Sequence, residues 1–429
     1  MRENYPAQTA RMVRQQQPLI MLVIKIILGS PFDGIDSGAP LRYIGLMNEL
    51  CKRYKLSIFA PGNTELLKKA FPDAIVCPTT SSLPKLRHFS ISKYLCSFID
   101  NQFTCDKIYF PGFNYFPDFK KLLETDTGNH QISFYFGLNS YVMYSDIDRV
   151  PIHICDLCDS KIRLLRGNKK QCVTIKEKTL NFLDEVYIKK LKRHYLPHNP
   201  VLLAIAEEDA RYISKTLKNK KIHVIPNGTN LPQLKLDDAF YRKKHQSSNI
   251  VFLGNLNYEP NIRSLIYSLD LLWPSIYRMN PIMRFRIVGR YATPELRNKA
   301  TTVPGVEMIG EVENIYPYLI DAKAFLAPML SGSGMKNKFL EALSVGTPII
   351  TNREGAEGID LISGKQGSIS ETPEGMIQAL EDILNAPIER YSHYIDECLA
   401  LAQKYTWEYA GNKLHSVIEG AGAAHDKNG

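Results

Sequence analysis

Residues 326–358 confine this chain to a layered α/β architecture more tightly than any other stretch. Phe325 to Pro328 is a short apolar run of the kind buried as a strand. Gly332-Ser333-Gly334 then turns the chain. From Met335 to Val345 the apolar residues Phe339, Leu340 and Leu343 recur at helical spacing, with Asn337 and Glu341 one turn apart. Gly346 ends that helix and Pro348 opens a new strand running to Thr351. A strand that passes through a glycine turn into a helix is where α/β sheets bind phosphates, because unpaired N–H groups and the helix dipole point at the turn. Glu341 lies seven residues beyond Gly334, about two helical turns and roughly 10 Å along nearly the same face. A nucleoside diphosphate fits that spacing. Its distal phosphate would rest on the amides of Gly334, Met335 and Lys336, Glu341 would accept from the ribose hydroxyls, and Lys336 and Lys338 would neutralise the diphosphate. The same residues also suit an ordinary βα unit with solvated lysines and a surface glutamate, and spacing alone leaves both readings open.

At 429 residues the chain has room for two or three domains, and 44% hydrophobic with 23% charged residues is the balance of a soluble globular protein. No window reaches 18 apolar residues, so no membrane span is expected. The apolar run Leu19 to Leu28 contains Lys25 and leads into Gly29-Ser30-Pro31, which reads as a first strand rather than a signal peptide. Residues 1–20 read as a disordered extension, and Met21 is a second candidate start. Of eight cysteines, Cys155 and Cys158 form a CxxC without a matching pair elsewhere, so no zinc site and no disulfide framework is expected; scattered thiols suit a reducing cytoplasm. The net charge of +9 calls for an anionic neighbour, whether nucleic acid, membrane surface or phosphorylated substrate.

Two series of βα units follow. In the first, strands are expected at Ile20 to Leu28, Leu56 to Ala60, Ala74 to Cys77, Lys107 to Phe110, Gln131 to Phe136, Ile152 to Cys155, Val201 to Ala206 and Lys221 to Pro226. Helices are expected at Pro40 to Tyr54, Lys176 to Tyr195 and Glu207 to Leu217. The glycine-bearing turn before Pro40 is not GxGxxG, and no acidic residue ends the second strand, which excludes a dinucleotide fingerprint. Leu83 to Phe103 is basic and aromatic and suits an anionic surface or a solvated one. Asp156 falls at the carboxyl end of a strand, where open α/β sheets place ligand groups, and is expected to face the cleft; Asp159-Ser160 reads as a helix cap. The polar run Gln233 to Ser248 reads as a linker. A second lobe then opens with the strand Asn249 to Leu253, the Gly254 turn and the helix Ile262 to Leu272. Phe285 to Val288 is a strand that sets Arg290 at its carboxyl end, placed for a phosphate, and Gly305 to Glu311 is a strand and turn.

Leu340-Glu341-Ala342 and Gly346-Thr347-Pro348 resemble the nucleotide-sugar motif of retaining GT-B glycosyltransferases, in which a Leu-Glu-Ala triplet is followed by a small residue, Gly and Pro. Gly-Ser-Gly-Met-Lys-Asn-Lys at 332–338 resembles the bacterial subgroup that builds exopolysaccharide, capsule and lipopolysaccharide. KIHVIPNGTN at 221–230 resembles the stretch that ends the family's first lobe, and Tyr405-Thr406-Trp407-Glu408 its C-terminal crossing helix. The resemblance covers about residues 21–418 and is strongest over 249–358. One departure stands out: Ser333 occupies the first acidic position of the usual pair, eight residues before Glu341.

The fold so implied is GT-B, two Rossmann-like βα lobes facing a cleft. The expected divisions are an acceptor-binding lobe at 21–232, a linker at 233–248, a nucleotide-sugar-binding lobe at 249–400, a crossing helix at 401–419 and a disordered tail at 420–429. Donor contacts are implied at Gly38, Gly254, Arg290, Glu311, Val312, Ser333, Gly334, Met335, Lys336, Lys338 and Glu341, with Glu311 and Val312 beside the nucleobase. Asp156, Arg290 and Lys336 are the catalytic candidates. No metal and no cofactor beyond the nucleotide diphosphate sugar is implied, since no Asp-x-Asp lies near the site. The expected activity is metal-independent hexosyl transfer with retention, to a glycan or lipid-linked acceptor in surface polysaccharide synthesis. The enzyme would be cytoplasmic and peripheral on the inner membrane face, with an anionic membrane surface as partner and no nucleic acid. A nucleotide-sugar epimerase on the same fold and a non-catalytic nucleotide-sugar binder are the alternatives, the latter motivated by Ser333.

Overall fold

A computed structural model describes residues 22–29, 32, 38–78, 117–158, 178, 182, 199–218, 220–331 and 334–426. The first lobe runs β1 (Val23–Leu28), α1 (Gly38–Cys51), β2 (Lys55–Ala60), α2 (Glu65–Ala70), β3 (Ile75–Pro78), α3 (Pro117–Glu124), β4 (Ile132–Phe136), α4 (Leu138–Tyr144), β5 (Ile152–Asp156), β6 (Val201–Ala204), α5 (Glu207–Thr216) and β7 (Ile222–Val224). Its seven described strands are parallel in the order β3-β2-β1-β4-β5-β6-β7. Strands buried on both faces need near-continuous apolar sequence, and β1 and β4 supply it. Lys25 is the exception in β1. Its buried ammonium sits 2.8 Å from Asp126 and 3.3 Å from Asp148, which compensates the charge.

The second lobe follows α6 (Asp238–Gln246) with β8 (Asn249–Leu253), α7 (Glu259–Tyr267), α8 (Trp273–Met279), β9 (Arg284–Val288), α9 (Pro294–Thr302), β10 (Val306–Gly310), α10 (Tyr316–Ile320), β11 (Ala324–Leu326), α11 (Asn337–Leu343), β12 (Ile349–Thr351), α12 (Arg353–Ala356), β13 (Gly367–Ile369), α13 (Pro373–Leu384) and α14 (Ile388–Ala402). Its strands are parallel in the order β10-β9-β8-β11-β12-β13. α15 (Trp407–Asp426) then returns to the first lobe, where Trp407, Ala410, Leu414 and Ile418 join the core between the sheet and α1.

Three expectations are corrected, and one strand was missed. The polar run at 233–248 is not a free linker. Asp237 caps α6 by accepting from the Phe240 amide, and the helix packs on the second lobe through Phe240, Tyr241 and a fully buried Lys244. Residues 420–426 are helical, as the last turns of α15, rather than disordered. The helix expected from Ile262 to Leu272 begins at Glu259 and passes through a π turn at Ser268–Leu272 into α8. β13 was not anticipated, because GSI is too short to carry a period. The expected strand Lys107 to Phe110, the basic segment Leu83 to Phe103, the Asp159-Ser160 cap, residues 1–20 and, apart from Lys178 and Phe182, the helix Lys176 to Tyr195 lie outside the described residues.

Candidate functional site

In an open parallel sheet a crevice forms beyond the carboxyl ends of the strands where the strand order reverses. The reversal falls between β1 and β4 in the first lobe and between β8 and β11 in the second. The two lobes set these ends against each other. Between them lies a cavity of about 890 Å³, lined by Ala39, Arg42, Cys158 and Asn227 from the first lobe and by Gly254, Gly289, Arg290, Glu311, Val312 and residues 334–338 and 341 from the second.

Each second-lobe wall is fixed by backbone. The turns after β8 and β9 are tied together, with the Gly254 amide donating to Val288 O and the Leu256 amide to Arg290 O, at 3.2 and 2.9 Å. Gly289 adopts φ +159°, and a Cβ there would stand 1.9 Å from the Gly254 carbonyl oxygen, so this close approach requires glycine. Arg290, just beyond it, lines the cavity with its guanidinium 5.1 Å from the Tyr291 ring centre.

The turn into α11 brings Gly334, Met335, Lys336, Lys338 and Glu341 to the cavity together. Lys336 folds back: its ammonium donates to Gly334 O at 2.7 Å and lies 3.8 Å from the buried Glu357 carboxylate. Lys338 donates to Asn261 Oδ1 at 2.9 Å and sits 4.4 Å over the Phe252 ring. Burial and the adjacent Lys336 push its pKa down to about 7, against the pull of Glu341. Burial raises Glu341 to about 7, with Lys338 opposing.

Two sequence-derived candidates stand elsewhere. Asp156 is not a cleft-facing group. Its carboxylate is fully buried and gripped by Arg42, Nε at 2.7 Å and Nη2 at 3.0 Å. Burial disfavours the Arg42 charge, yet Asp156 beside it holds the guanidinium pKa above its ordinary value. Arg42 and Cys158 thus stand in the first-lobe wall, with Asp156 behind them. Gly38 opens α1, and its neighbour Ala39 lines the cavity. Ser333 lies outside the described residues. Sequence reasoning missed Arg42, Asn227, Asn261 and Asn337. The available signal for Arg42 was a lone charge amid Leu41, Ile44, Leu46, Met47 and Leu50 on a helix. Among the described residues no three His, Cys, Asp or Glu side chains converge to hold a metal ion, and no helix is long and apolar enough to cross a membrane.

Residues 247–386 match the family described as glycosyl transferases group 1. The chain is 23% identical over 223 residues to a phosphatidyl-myo-inositol mannosyltransferase of Mycobacterium leprae (strain TN), an alignment covering 51% of this chain and 58% of that protein. It is 29% identical over 129 residues to an uncharacterized 44.6 kDa protein in the cps region of Klebsiella pneumoniae, covering 28% of this chain and 32% of that one. The chain therefore spans about half, and about a third, of the curated relatives it matches. In fold it superposes on Anabaena HepE, solved in complex with UDP-glucose, with a TM-score of 0.64 at 13% identity over 93% of this chain and 100% of that one. Its two parallel sheets and this superposition give the chain the GT-B fold, and its second lobe is similar to glycosyl transferases group 1.

Proposed function

We propose that the chain transfers a hexose from a nucleotide diphosphate sugar to a glycan or lipid-linked acceptor, with retention and without a metal ion, in the synthesis of a surface polysaccharide. The observation that carries this reading is the convergence of Gly254, Arg290, Gly334, Lys338 and Glu341 on one cavity at the switch points of two facing sheets. Glu341 accepts from the ribose, Glu311 and Val312 flank the base, and Arg290 and Lys338 take the charge that develops on the departing diphosphate. Lys336, whose ammonium is tied to Gly334 O, fixes the turn on which the distal phosphate rests. The acceptor hydroxyl attacks the anomeric carbon on the face the diphosphate leaves, passing its proton to a leaving-group oxygen. The protein contributes positioning and charge stabilisation.

A thermal-shift screen of uridine, guanosine and adenosine diphosphate sugars, followed by product analysis with the best donor, tests this. UDP-glucose is the first candidate, since HepE was solved with it. A stabilising donor and a sugar joined to acceptor are expected. A free sugar epimer would favour epimerase chemistry, and binding with no turnover on any acceptor would leave a binding protein. Peripheral docking belongs to the same reading and is motivated by the net charge of +9 and by the basic sequence at Lys189, Lys190, Lys192 and Arg193. Flotation with anionic vesicles should succeed at low salt and fail at high salt; no flotation at low salt would point to a soluble acceptor.

A further inference from the structure

The Arg42–Asp156 pair does not end in the first lobe. Arg42 Nη1 also donates to Pro226 O at 3.2 Å and to Asn227 Oδ1 at 3.0 Å. Asn227, only 3% exposed, donates in turn from Nδ2 to Oδ1 of Asn337 at 2.6 Å. Asn337 is the first residue of α11, the helix that carries Lys338 and Glu341. The direction of this chain is fixed by chemistry. A guanidinium can only donate, so the Asn227 oxygen must face Arg42, its NH2 must face α11, and Asn337 must present its oxygen. Beside the polar chain, Ile205 and Ala206, which follow β6, are continuous with the second lobe's apolar core through Met335. The first lobe thus holds the first residue of α11 by a half-buried hydrogen bond, and its Ile205 and Ala206 share the second lobe's apolar core beside that helix.

We propose that Asn227 is a positioning residue: with Asp156 and Arg42 behind it, it latches α11 to the first lobe and holds a bound donor in register with the acceptor side of the cleft. This rests on the donor-site reading of the second lobe given above. Asn227 acts through Arg42 on one side and Asn337 on the other, so its loss should spare nucleotide binding, which the second lobe provides, and impair transfer.

The test uses the full chain with Asn227→Leu, Asn337→Leu and the double variant, each checked for native circular dichroism. The two changes lie in different lobes, so a folding failure in one leaves the other informative. Small-angle scattering of the ligand-free proteins should show a larger radius of gyration for each single variant and no further increase for the double. Stability costs should likewise be non-additive, as for groups that act through one bond. For Asn227→Leu, with UDP and UDP-glucose, the nucleotide dissociation constant should change less than about threefold while kcat falls at least about tenfold. An unchanged radius in both single variants, or additive stability costs, would overturn the latch. If the wild type neither binds UDP nor consumes UDP-glucose, the functional reading loses its first donor, and scattering and the mutant cycle still decide on the latch.

Discussion

Lys338 and Glu341 stand one turn apart on α11, and burial drives both toward neutrality, so each titrates at about 7 rather than at its ordinary value. An arriving diphosphate favours charged Lys338, and the ribose hydroxyls favour ionised Glu341. Above pH 7 the free protein holds Lys338 mostly neutral, so binding should take up a proton. Below pH 7 it holds Glu341 mostly protonated, so binding should release one. Calorimetric titration with UDP in buffers of different ionisation heat, at pH 6 and pH 8, should therefore give proton linkage of opposite sign, and Lys338→Met should abolish the uptake at pH 8. Glu341→Ala should leave the fold intact and weaken nucleotide binding about ten- to hundredfold, the worth of a charged hydrogen bond of roughly 1.5–3 kcal/mol; an unchanged binding curve would remove Glu341 from the ribose. These residues were legible because the glycine turn, the helix and their side chains lie within one short stretch. Asp156 was legible as a strand end but not as a buried partner, since the residue that claims it is 114 positions away. A single sequence carries no local trace of such a pairing.

Elements whose pattern is local were read closely, and those defined by what they pack against were not. All described strands but β13 announce themselves as short apolar runs, and Gly346 ends α11 as its place in the sequence required. It holds φ +70°, and a Cβ there would stand 2.5 Å from Ile395 Cγ2, so Gly346→Ala should cost about 1–3 kcal/mol of stability in chemical denaturation. α6 was misread because its composition is polar. Phe240 and Tyr241 are its apolar contribution, and the rest of its anchoring comes from a lysine, a residue type seldom fully buried without partners. Lys244 has such partners: Leu319 O at 3.1 Å, Ile320 O at 3.2 Å and Ala322 O at 3.4 Å, around the end of α10, together with Thr347 Oγ1 at 2.8 Å. Lys244→Ala would strand several of these acceptors, and urea titration should register a loss of at least about 2 kcal/mol. A loss near zero would mean that water replaces the ammonium.

At the level of the molecule, the first and last described elements, β1 and α15, both belong to the first lobe. α15 lies along α1, and the Trp407 ring rests directly on Gly45 of that helix. Trp407→Ala should release α15 and separate the melting of the two lobes, seen as two calorimetric transitions where the wild type gives one. The pairing of lobes was legible as a resemblance, but the contact that joins them was not, because Ile205, Asn227 and Met335 fall in three separate motifs. The same connectivity governs how the cleft can move. The chain enters the second lobe past Thr229 and leaves it past Thr406, and these two passages are themselves bonded, with the Thr229 amide donating to Tyr405 O at 2.8 Å and a parallel bridge between Thr229 and Thr406. In effect the second lobe is an insert held by a two-ply strap. A strap two plies wide bends readily across its width and resists twisting, so the cleft should gape and shut like a book rather than shear.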